Sequence, residues 1–122
     1  GNVTNIMNFL VHAVKDATPI NIWAQAERNF IDKDDILFVV KQLLKKEVTN
    51  KIVNIAFKKS VLVSDVVIQI EKHLNTKAVV TLVSKGSPLT INVSDIKQEL
   101  ETIELQKGSG ETYISNLLKK YY

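Results

Sequence analysis

The chain reads as a small α/β (α+β) domain of four or five helices packed on short strands. Three observations support this reading. Apolar residues recur at helical spacing in several separate segments, a β-branched run (Val79-Val80-Thr81-Leu82-Val83) stands between two of them, and proline, glycine or polar clusters punctuate the joins. At 122 residues the chain is one domain's worth and long enough to bury a real core, so residues 1–122 are taken as a single unit.

From Thr4 to Lys15, Ile6, Phe9, Leu10, Ala13 and Val14 fall on one helical face, with Asn2 or Thr4 available as caps. Thr18-Pro19 ends that helix, and Ile20-Asn21-Ile22-Trp23 alternates as a short strand does. A turn through Ala24 to Glu27 leads to a second extended piece over Arg28 to Ile31. Asp32, Asp34 and Asp35 suit a helix N-terminus, where carboxylates cap free amides and meet the positive end of the dipole. Ile36, Leu37, Val39, Val40, Leu43 and Leu44 then make a broad apolar face, with Lys41, Lys45 and Lys46 toward the C-terminal end.

A buried strand is expected over Lys51 to Phe57, followed by a turn at Lys58-Lys59-Ser60. Val63, Val66, Val67, Ile70 and Leu74 define the next helix, with Asn75 as a left-handed C-cap. Val79 to Val83 is the clearest strand, ending at Lys85-Gly86-Ser87-Pro88. Thr90 to Val93 fits strand or loop equally, and Ser94-Asp95 opens a short helix through Leu100. The polar, glycine-containing stretch Gln106 to Gly110 is expected to be a mobile loop, and Ile114, Leu117, Leu118 and Tyr121 form one stripe of a closing helix.

Composition excludes several classes. Hydrophobic content of 45% against 24% charged residues argues for a globular chain rather than a disordered one, and no apolar run approaches the ~20 residues a bilayer requires. The net charge of +3 comes from dispersed lysines with a single arginine and few aromatics, a pattern that does not favour nucleic-acid binding. Without cysteine there is no disulfide or thiolate site, which fits a reducing, cytoplasmic setting. His12 and His73 stand alone on separate helices and read as surface or half-buried structural residues, so no metal site is expected. Gly1 stands where a start methionine would, so a piece excised from a longer polypeptide is expected.

The segment Arg28-Asn29-Phe30-Ile31-Asp32-Lys33-Asp34-Asp35 resembles the R-D-F-I-x-V-D-D motif of the extended short-chain dehydrogenase/reductases, the NAD-dependent nucleotide-sugar epimerases and dehydratases. The likeness continues along the chain. Asn5 to Val14 is similar to that family's N-x-F-I-x-x-A helix, Thr18 to Trp23 to its P-I-x-I-x strand, and Val53-Asn54-Ile55-Ala56 to Y-N-I-G. Val93 to Leu100 is similar to a shortened A-D-I-S-K-A-K-x-E-L, and Tyr113 to Tyr122 to the closing helix. Departures occur at Ala24-Gln25-Ala26 for a G-D-G turn, at Ala56 for glycine, at Asp32-Lys33 for an aromatic or histidine and a valine, and at Lys85-Gly86-Ser87-Pro88 for R-P-G-D.

The resemblance implies the small C-terminal substrate domain of such an enzyme, lacking the Rossmann domain that binds NAD or NADP and performs the chemistry. It implies a nucleotide-sugar ligand, with Arg28 gripping phosphate and Lys85 standing at the second basic position. Asn5 and Trp23 complete the substrate-binding candidates; the Trp23 ring can stack on a base, although its strand position also suits core or interface packing. An arginine is apt for a diphosphate because its planar fork donates two parallel charge-assisted hydrogen bonds and never loses its charge. The competing role for Arg28 is a structural ion pair with Glu27, Asp34 or Asp35, and Asp34 and Asp35 themselves read as helix-start residues rather than catalytic carboxylates.

No catalytic or cofactor-binding residue is identified in the chain. It has four glycines and no G-x-x-G-x-x-G, and none of Tyr113, Tyr121 and Tyr122 is followed four residues later by lysine, so hydride transfer is not expected of it alone. Gly108-Ser109-Gly110 follows no strand and reads as a hinge rather than a phosphate loop. Two functional classes remain: the substrate-binding part of an NAD(P)-dependent epimerase, dehydratase or reductase, and a freestanding binding or interaction module of the same fold. Apolar surface that would face the Rossmann domain is expected to promote self-association.

Overall fold

Helix α1, Asn5–Lys15, forms because Met7, Leu10, Val11 and Val14 return to one face every three or four residues, and all four are buried in the computed structural model, which describes residues 5–47 and 52–122. The helix closes where Ala17 turns into a left-handed conformation (φ 55°) and the Thr18 amide reaches back to the Ala13 carbonyl. Strand β1, Ile20–Trp23, then alternates buried Ile20 and Ile22 with exposed Asn21 and Trp23. A turn brings the chain into β2, Glu27–Arg28, and Asp32 starts helix α2, Lys33–Lys45, its carboxylate accepting from the Asp34 amide at 3.2 Å.

Strand β3, Val61–Leu62, runs directly into helix α3, Val63–Leu74, which buries Val63, Val66, Val67 and Ile70 and ends at Asn75 in the left-handed region, φ 53° and ψ 46°. Strand β4 covers Val80–Val83. After a 3₁₀ turn at Ser94–Ile96 come α4, Lys97–Lys107, and α5, Gly110–Tyr121. The strands form two separate pairs: β1 with β4 in parallel, Ile20 opposite Val80 and Trp23 opposite Val83, and β2 with β3 antiparallel, Arg28 opposite Val61. Helix α3 lies at the centre, packed on α1, α5 and β1, and the core gathers around Met7, Val39, Ile70, Ile96 and Leu118. The result is the small mixed α/β domain that the sequence predicts.

Three local expectations are corrected. The strand over Lys51 to Phe57 does not form: Lys51 lies outside the described residues, and 52–57 is irregular, with Ile52 fully in solvent and Phe57 buried. The physical reason is a side chain acting as a strand partner. Asn29 donates from Nδ2 to the Phe57 carbonyl at 2.8 Å and accepts the Phe57 amide on Oδ1 at 3.0 Å, satisfying both backbone groups without a ladder. The loop expected over Gln106 to Gly110 is instead helical through Lys107 and again from Gly110, leaving only Gly108 and Ser109 between two helices.

The apolar face of α2 is the third. Val39 is its one fully buried aliphatic side chain, whereas Leu37 and Leu44 are more than half exposed because only α4 packs closely on that helix. Thr90 to Val93 settles as irregular chain, joined to its surroundings by an antiparallel bridge between Lys59 and Thr90 and by the Asn54 side-chain amide donating to the Asn92 carbonyl at 3.1 Å.

Candidate functional site

Arg28 sits on the short strand β2, whose pairing with β3 fixes its backbone opposite Val61. Its side chain is exposed and lines a cavity of about 420 Å³ that also takes in Lys58, Lys59 and Ser60. The aromatic part of the wall is made by Phe30, Phe57 and Tyr113; the Phe57 and Tyr113 rings meet edge to face, centroids 4.5 Å apart. The Asn29 amide holds the neighbouring segment in place, bonding Phe57 on both backbone groups and reaching the Ser60 hydroxyl at 3.3 Å. Two adjacent residues therefore divide the work: Asn29 holds Phe57 and Ser60 on either side of Lys58-Lys59, and Arg28 lines the same cavity as those lysines. Ser109 and Gly110, at the start of α5, complete the rim and add the positive end of a helix dipole.

The structural ion pair weighed for Arg28 does not form among the described residues. The three acids weighed for that pair are engaged elsewhere, and among the described residues Glu104, which lines the same cavity, forms no ion pair with it. Glu27 accepts the Leu89 amide at 2.9 Å, Asp34 pairs with Lys120 at 2.5 Å, and Asp35 pairs with Lys107 at 2.6 Å while accepting the Tyr113 hydroxyl at 2.5 Å. Among the described residues the guanidinium has no ion pair and shares its cavity with Lys58, Lys59 and Glu104, three cations to one carboxylate, an arrangement that can take a phosphate or diphosphate.

Behind this wall runs a polar clasp from the start of α2 to the last two helices. The Tyr113 hydroxyl accepts the Asp32 amide at 2.8 Å while donating to Asp35. Asp32 binds Lys120 at 2.6 Å and the Tyr121 hydroxyl at 2.5 Å. Burial pushes the Asp32 carboxyl up, but the bonds from Lys120, Tyr121 and the Asp34 amide outweigh it and hold the group below its ordinary range. Burial, followed by the bond to Asp35, pushes the Tyr113 phenol far above its usual value, so Tyr113 stays protonated and serves as a fixed donor. The bonds to Asp32 and Asp34 hold Lys120 firmly in its ammonium form. Among the described residues no buried side-chain polar atom lacks a partner, which marks this network as structural. Asp34 and Asp35 are thus helix-start residues.

The other substrate candidates fall elsewhere. Trp23 and Lys85 come together, the ammonium 5.9 Å from the ring centroid, at the far end of the β1–β4 pair. Neither lines the Arg28 cavity. Asn5 opens α1, and its side chain lies outside what is described. His12 is exposed and His73 half-buried, and among the described residues no group of histidines and carboxylates could hold a metal. Lys58, Lys59 and the α5 start were missed as site residues because their meeting with Arg28 depends on contacts distant in sequence. The available signal was Asn29, an amide able to satisfy a backbone donor and acceptor together.

Compared with protein-family models, curated proteins and solved structures, the chain matches none. Among the described residues no helix is long and apolar enough to cross a membrane.

Proposed function

We propose that this chain is the substrate-binding part of an NAD(P)-dependent nucleotide-sugar epimerase, dehydratase or reductase, with Arg28 holding the ligand's phosphates and a Rossmann domain supplying cofactor and chemistry. The observation that carries this reading is the Arg28 guanidinium, without an ion pair among the described residues, on a cavity shared with Lys58 and Lys59, in a segment that resembles R-D-F-I-x-V-D-D. The cavity volume falls within the range of small-molecule sites. Calorimetric titration of UDP- and dTDP-sugars tests it. Arg28→Ala is expected to weaken binding about tenfold or more, the worth of a charge-assisted bidentate contact. Equal affinity in the variant and the wild type removes the role. NAD is expected to leave the melting temperature of the chain unchanged, and a clear rise contradicts the division of labour.

A second reading, a binding or interaction module of the same fold without the reaction, rests on the exposure of Trp23 and Leu82 beside an open strand edge. The encoding reading frame separates the two: a Rossmann domain directly upstream favours the enzyme.

A further inference from the structure

On the far side of the Lys58-Lys59 segment lies a second cavity, of about 620 Å³, walled by Thr90 to Ser94 and by the face of α4 that carries Lys97, Glu101 and Glu104. The two cavities are not independent, because Lys58, Lys59 and Glu104 line both. Glu104 is half-buried at this shared wall, and its carboxylate has no hydrogen-bond or ion-pair partner among the described residues, although two lysines line the same walls. Glu101, one helical turn earlier, presents a second carboxylate to the second cavity alone.

An ionised carboxylate only accepts hydrogen bonds and repels phosphate, whereas the hydroxyls of a neutral ligand group donate to it. Along this path Arg28 lines the first cavity only, Lys58, Lys59 and Glu104 line both, and Lys97 and Glu101 line the second only, so Glu104 is the carboxylate that stands between the two. Resting on the phosphate role proposed for Arg28, we infer that the ligand is a phosphate ester whose neutral, hydroxyl-bearing portion crosses Glu104 into the second cavity. Glu104 then serves as a specificity-determining acceptor that distinguishes such an ester from bare phosphate.

Titration of the intact chain with inorganic pyrophosphate and with UDP-glucose, in the wild type and in Arg28→Ala, Glu104→Ala and Glu104→Gln, tests this. Arg28→Ala weakens both ligands. Glu104→Ala weakens UDP-glucose about tenfold or more, as expected for a hydrogen bond to a charged group, and leaves pyrophosphate unchanged or tighter because a like charge has gone. Glu104→Gln, which keeps an acceptor oxygen without the charge, retains part of the UDP-glucose affinity. Wild-type affinity of Glu104→Ala for UDP-glucose, or an equal loss for both ligands, overturns the inference and leaves the phosphate role standing. Pyrophosphate binding that is absent at millimolar concentration, or indifferent to Arg28→Ala, overturns the phosphate role and this inference with it.

Discussion

Asp32 carries three tasks at once: it caps α2, pairs with Lys120 and accepts the Tyr121 hydroxyl, all while almost completely buried. A carboxyl held below its free value of 3.8 binds its proton less readily in the folded state than in the unfolded one. Its contribution is therefore fully present above that value and is lost as pH falls through the lower, folded value. Urea unfolding across the acid range is expected to show wild-type stability falling more steeply below about pH 4 than that of Asp32→Asn, which keeps the cap but cannot titrate. Identical slopes would show that the acid sensitivity arises elsewhere. Arg28 is the opposite case at the same scale: its neighbours Asp34 and Asp35 pair with lysines 86 and 72 positions away, and the guanidinium has no ion pair among the described residues.

Among the elements, Gly86 illustrates a turn that admits one residue type. Its φ is +98°, and a Cβ there would stand 2.5 Å from the Ala26 backbone nitrogen, in the turn that follows β1. Gly86→Ala is expected to cost at least about 1 kcal/mol in thermal or urea unfolding, more than Gly110→Ala, whose added Cβ would meet nothing within 4 Å. Equal costs for the two would mean that backbone conformation, not the close approach, decides. Helix α3 was legible in full, because its apolar residues and its Asn75 cap are local signals. The irregular 52–57 segment was not. Apolar residues there suggest a strand, and only a contact 28 positions away shows that the Asn29 amide takes both Phe57 backbone groups. Helix α4 runs past the expected end at Leu100: Ile103, buried three residues on, carried a helical signal that was overlooked, and beyond it the polar last turn and solvent-facing Leu105 give none. Arg28 stood out in the sequence as the single arginine, whereas Lys58 and Lys59, which line the same cavity, read only as a basic pair in a turn.

For the whole molecule, the β1–β4 pair is the unbalanced part. Parallel strands are ordinarily covered on both faces, yet here only one face of β1 is covered: Ile20 and Ile22 are buried, while Leu82 of β4, directly beside Ile22, is 59% exposed and Trp23, on the other face of β1, 53%. Sedimentation at rising concentration is expected to reveal self-association that Leu82→Lys reduces; a strictly monomeric wild type would remove that expectation. The clasp between α2 and the last helices bears on biosynthesis. Tyr113 and Tyr121 follow Asp32 by 81 and 89 positions. At ribosomal speeds of roughly 5–20 residues per second, the beginning of α2 emerges several seconds before the groups that satisfy it. Through that interval Asp32 and Asp35 stay hydrated on a nascent chain, and the clasp can close only once the C-terminal helix has emerged.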